Sequence, residues 1–202
     1  KNAIRRLDEQ GYEIGVHGSY RSYKDPVLLK KEKSMIESIT GSEVSGIRQH
    51  FLNYDPDITP SLHHICGFKY DTSIGFKPGQ GMGFSRGTSF PFLIMSSDRK
   101  VLPVLELPMI IMDKAIGSAA AVEECFDLMR QVEKYRGVFT ILWHQNTLNK
   151  KEFPFLASLY ETLIMEARKR DAWIATAREV YHWITAHGQF TDTCQDKIQA
   201  GA

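Results

Sequence analysis

Apolar and polar positions along this chain fall into short blocks, and three of the apolar blocks end in a histidine. Tyr12 to Val16 leads to His17, Val44 to Ile47 leads to Arg48 and His50, and Val138 to Trp143 leads to His144. Each block reads as a short, largely buried strand. Helical spacing fills the intervals. Residues 2–10 carry Ile4 and Leu7 on an inward side and stop at Gly11. Asp25-Pro26 supplies an N-cap and a first-turn proline, Leu28, Met35, Ile36 and Ile39 recur behind it, and Gly41 closes the helix. A short helix is expected from Thr59 to Cys66, ending at Gly67. A longer one is expected from about Ser118, with Val122, Phe126, Met129 and Val132 on one face. Further helices are predicted over 154–170 and 177–187, with strands inside 101–112 and over 172–175. The stretch 68–86, with glycines at 75, 79, 81 and 83, reads as a long loop over a binding face.

Strands alternating with helices imply an α/β fold of parallel strands and crossover helices. In a parallel barrel the C-terminal strand ends converge on one face, so His17, Arg48, His50 and His144 are expected together there. No internal repeat or domain boundary is visible. The reading is one domain over 1–188 and a polar tail over 189–202.

Composition narrows the classes. The 202 residues are 43% hydrophobic and 24% charged, and 25 Lys and Arg against 24 Asp and Glu leave a net charge of +1. Such balance offers no global field for nucleic acid or an anionic membrane, and clusters such as Arg168-Lys169-Arg170 read as solvated helix surface. Cys66, Cys125 and Cys194 have neither metal-knuckle nor disulfide spacing, which favours a reducing, cytoplasmic compartment. The longest apolar run, around Val101 to Met112, is interrupted by Pro103, Glu106 and Pro108 and is too short for a bilayer span. Lys1 opens inside a helical pattern, so a preceding segment is expected to be missing.

In order, the motifs HGSY, GIRQHFL, GFKYDTSIGF with GFSRGTSFPF, LELPM and LWHQN resemble the polysaccharide deacetylase (NodB-homology) family over roughly residues 5–180. The resemblance implies a distorted (β/α) barrel, here apparently without its first strand. It also implies metal-dependent removal of acetyl groups from sugars, with a divalent metal such as zinc and an acetylated sugar or polysaccharide as partner. The family's aspartate pair, base and metal ligand, would lie ahead of Lys1.

Carried over residue by residue, His17 matches the first histidine of the metal motif. The second would fall at Arg21, which cannot ligate a metal because it stays protonated. His50 is the available substitute, since neutral imidazole is a good zinc ligand. Two ligating rings would place their nitrogens roughly 3–3.5 Å apart. Arg48 matches the motif arginine and His144 the late proton donor, with Leu142 and Trp143 in the acetyl pocket. Tyr20 and Arg86 are expected to reach substrate. Asp71 and Glu106 are buried acids able to orient Arg48 or a histidine, while His63, His64, His182 and His187 read as structural. Two alternatives stay open: a non-catalytic carbohydrate-binding barrel, and a metal-independent amidohydrolase with polar side chains in place of ligands.

Overall fold

A computed structural model describes residues 1–117 and 120–187. Strands β1 (Val16–Gly18), β2 (Gly46–Gln49), β3 (Tyr70–Asp71) and β5 (Val101–Glu106) run parallel side by side. An antiparallel strand, β4 (Phe92–Met95), flanks β5, giving the order β1-β2-β3-β5-β4. A second parallel pair joins β6 (Met109–Met112) to β7 (Thr140–Leu142). The apolar run 101–112 thus makes two strands, split at Leu107-Pro108, where proline has no N–H to give a ladder. Among the described residues no ladder joins β1 to β7, so the barrel is distorted and is not closed by hydrogen bonds.

The crossover helices follow from their caps and apolar faces. Asp25 accepts the N–H groups of Val27 and Leu28 and starts α2 (Pro26–Thr40), and Gly41 ends it in the left-handed region at φ 76°. Helix α3 (Thr59–Ile65) returns between β2 and β3. Helices α4 (Ala120–Tyr135) and α5 (Pro154–Lys169) cover the β6–β7 pair through Cys125, Leu128, Met129, Leu159 and Leu163. Helix α6 (Ala177–Ala186) opens with a capping box between Thr176 and Glu179. A small cluster of Leu52, Met109, Met112 and Leu142 packs where the two sheets meet.

Several expectations from the sequence are corrected. Helix α1 (Asn2–Glu9) buries no residue, and Leu7 lies exposed, so its apolar stripe does not face the core. On α2 the buried apolar positions are Leu29 and Ile39, while Met35 points to solvent. Residues 68–86 are not all loop: Phe68, Tyr70, Asp71, Ser73 and Ile74 are buried, because β3 sits in the middle of the sheet. Residues 172–175 form no strand, and Trp173 and Ile174 are exposed. Helix α4 was expected from Ser118, which lies outside the described residues, as do Cys194 and the expected tail over 189–202. No helix among the described residues is long and apolar enough to cross a membrane.

Candidate active site

Strand register builds the site. His17 on β1 pairs directly with Arg48 on β2, and one residue earlier Ile47 pairs with Asp71 and Asp71 with Glu106. The chain turns immediately after β2. Phe51 and Leu52 both adopt left-handed backbone, at φ 54° and 50°, which costs a non-glycine residue about 1–2 kcal/mol. That turn brings the His50 ring back toward β1, with Phe51 edge-on against it at 4.4 Å.

His17 Nε2 and His50 Nδ1 face each other at 2.9 Å, with the rings nearly perpendicular at 86°. Burial, then the neighbouring His50 and Arg48, push the His17 pKa below its ordinary value. Its ring is therefore held in the neutral form, with a lone pair to offer. The 2.9 Å separation lies just under the roughly 3–3.5 Å expected of two rings on one zinc ion. Among the described residues no cluster of three or more His, Cys, Asp or Glu forms a complete cage.

Across the cleft, β7 delivers His144 and β6 delivers Asp113. His144 Nδ1 stands 2.6 Å from Asp113 Oδ1, and the other carboxylate oxygen accepts the His144 backbone N–H at 3.0 Å and the Thr147 hydroxyl at 2.5 Å. Asp113 is buried and saturated, whereas the His144 ring is partly exposed. The carboxylate thus fixes the Nδ1–H tautomer and leaves Nε2 for the cleft. Asp113 escaped the sequence reading. Its signal was there, an acid directly after the apolar run Met109 to Met112, the same strand-end pattern that marked the histidines.

Arg48 donates through Nε to the Thr72 hydroxyl at 2.8 Å and to the Thr72 carbonyl at 3.3 Å. Burial lowers the pKa of its guanidinium, while Asp71 and Glu106 nearby oppose that effect. His17, Arg48, His50, Leu142, Trp143 and His144 all line one cleft of about 860 Å³. Tyr20 and Arg86 do not. Tyr20 is exposed beside Phe51, and Arg86 lines a separate groove of about 460 Å³ with Tyr54 and Phe90.

Solved structures share this architecture. One, assigned as a polysaccharide deacetylase from Mycobacterium smegmatis, has a TM-score of 0.66 at 18% identity, over 92% of this chain and 67% of its own. A second, assigned the same way, from Pseudomonas aeruginosa PAO1, has a TM-score of 0.62 at 16% identity, over 92% and 64%. Puue allantoinase has a TM-score of 0.64 at 16% identity, over 92% and 63%. The chain has the NodB deacetylase fold. It spans about two thirds of the length of these structures. No family model and no curated protein matches the sequence. In the deacetylase fold as this chain builds it, the His17–His50 pair and Arg48 belong to the five-stranded sheet. The His144–Asp113 pair belongs to the two-stranded one.

Proposed function

We propose that this chain carries the hydrolytic site of a carbohydrate deacetylase, removing an acetyl group from a sugar of a surface polysaccharide or its precursor. The observation that carries the reading is that two imidazole centres, His17–His50 and His144–Asp113, open with Arg48 onto one cleft of a deacetylase fold. His17 and His50 would hold a divalent ion, which when bound supplies polarisation of the acetyl carbonyl and of a water molecule. Arg48, anchored at Nε, keeps its terminal N–H groups to orient that carbonyl and hold the developing oxyanion. Asp113 holds His144 Nδ1–H and so aims Nε2 into the cleft, where Nε2–H gives its proton to the departing amine or alkoxide. Leu142 and Trp143 offer the methyl group an apolar wall.

A second reading follows from the same contact. At 2.9 Å, the His17–His50 approach is also the distance of an N–H···N hydrogen bond, and that favours an amidohydrolase whose water is held by side chains. Allantoinase shares the fold.

The test is acetate release from acetylated amino-sugar oligomers and ammonia or amide cleavage from small cyclic amides. Each is measured with added zinc, nickel or cobalt and again with chelator. The deacetylase reading expects metal-stimulated acetate release, abolished in His144→Ala and lowered in affinity for metal in His17→Ala and His50→Ala. Chelator-insensitive cleavage of the small amides would establish the second reading instead. Calorimetric zinc titration of the same variants reads the ion site without any substrate.

A further inference from the structure

Beneath Arg48 lies a polar layer with no exposure to solvent. Asp71, Glu106 and His63 are each 0% exposed. His63 Nδ1 stands 3.0 Å from Asp71 Oδ2, and the Gln49 amide donates to His63 Nε2 at 3.0 Å. Asp71 Oδ1 accepts the Ser73 N–H at 2.9 Å and the Ser73 hydroxyl as well. Glu106 Oε1 accepts the Ile74 N–H at 2.9 Å. The Ser73 oxygen in turn accepts the Gln49 backbone N–H at 2.9 Å, tying the exit of β3 to the exit of β2.

Burying three ionisable side chains is unfavourable where aliphatic residues of similar size would pack without penalty. Stability alone therefore does not account for this layer. Its geometry does. The carboxyl groups hold the backbone at Ser73 and Ile74, and the residue just before them, Thr72, is the acceptor for Arg48. We propose that His63, Asp71 and Glu106 are positioning residues for Arg48: they fix the exit of β3, that exit fixes Thr72, and Thr72 fixes the direction in which the guanidinium enters the cleft. Electrostatics agree with the arrangement. Burial first, and Asp71 second, raise the pKa of Glu106 well above the usual carboxylate range. Asp71 and Glu106 in turn both raise the pKa of the Arg48 guanidinium against the effect of its burial.

The kinetic arm of the test rests on the hydrolase reading, and the spectroscopic arm does not. The Arg48 Nε–H resonance, assigned by its loss in Arg48→Lys, reports the Thr72 contact directly through its exchange with water. In Thr72→Val, which keeps the shape and removes the hydroxyl acceptor, that exchange should quicken about tenfold and kcat should fall about tenfold with the fold retained. Glu106→Leu and Ser73→Ala should reproduce both effects. The double variant Thr72→Val with Glu106→Leu should be no worse than the poorer single, because one chain of contacts is being cut twice. An unchanged Nε–H exchange in folded Glu106→Leu and Ser73→Ala overturns the proposal, and so do losses that multiply in the double variant. Should Glu106→Leu fail to fold, Ser73→Ala decides the matter alone. A parent protein inactive on every amide and ester tried would defeat the hydrolase reading, while Nε–H exchange still decides this one.

Discussion

Single residues in this cleft are set by what lies behind them. Asp113 spends both oxygens on His144 and Thr147, so Asp113→Asn puts an amide N–H against a buried donor and loosens the imidazole. Steady-state kinetics should show kcat down about 10²- to 10⁴-fold, the usual worth of a positioned acid–base group. A variant within twofold of the parent would remove His144 from the proton-donor role. Glu106 gives the opposite kind of prediction. Its folded pKa is raised, so between the unfolded value near 4.5 and the folded one the native state binds more protons than the unfolded chain. Stability from this group is complete below the unfolded pKa and is lost as pH rises through the folded pKa. Glu106→Gln, neutral at every pH, should melt at the parent's temperature near pH 4 and no lower than the parent at pH 8. A clear drop at pH 8 would mean that Glu106 acts as an ionised partner. His50 and His144 were legible because an imidazole after an apolar run is conspicuous, whereas His17 sits inside β1, which begins only at the last residue of the block expected as a strand. His63 reads in the sequence as structural, and its contact with Asp71 depends on how α3 lies against the sheet.

Elements form where local pattern and neighbours agree. The Asp25-Pro26 start of α2 and its Gly41 stop were readable because caps are local chemistry. Strand β4 was missed, although the turn Ser96 to Lys100 between two apolar runs signals a hairpin. The expected strand over 172–175 fails for the converse reason: pattern alone does not make a strand without a ladder partner. Close approach of neighbours is equally invisible in one sequence. At Gly46 a Cβ would lie 2.3 Å from the Tyr70 ring. That ring cannot withdraw, because its hydroxyl donates to Glu13 at 2.6 Å and its face packs on Tyr181 at 5.4 Å. Gly46→Ala should therefore cost about 1–3 kcal/mol in a urea melt. A cost below about 0.5 kcal/mol, the level of an ordinary surface change, would show that β2 and β3 can part without penalty.

At the scale of the molecule, the site depends on two sheets holding their distance. His17, Arg48 and His50 ride on the five-stranded sheet and His144 with Asp113 on the β6–β7 pair, and no ladder joins the two among the described residues. What joins them beside the cleft is a backbone hydrogen bond from Met109 N–H to the Ile74 carbonyl at 2.8 Å, together with side-chain packing of Leu52 from the β2 exit against Met109 and Met112 of β6 and Leu142 of β7. Met112 is 4% exposed and lines the cleft, while Met129 on α4 is 6% exposed and packs in the separate cluster under α4 and α5. Truncating either to alanine removes the same atoms from a buried site, so each should cost about 2–5 kcal/mol of stability. Their effects on catalysis should differ. Met112→Ala frees β6 and β7 to shift against β2, and a displacement of about 1 Å between reacting groups is worth on the order of 10²-fold in rate. Met129→Ala leaves that seam packed. Comparing kcat/KM of the two variants well below their melting temperatures separates positioning from stability. Equal kcat/KM would mean that the ladderless seam is rigid without Met112 and that some other contact spaces the two imidazole centres.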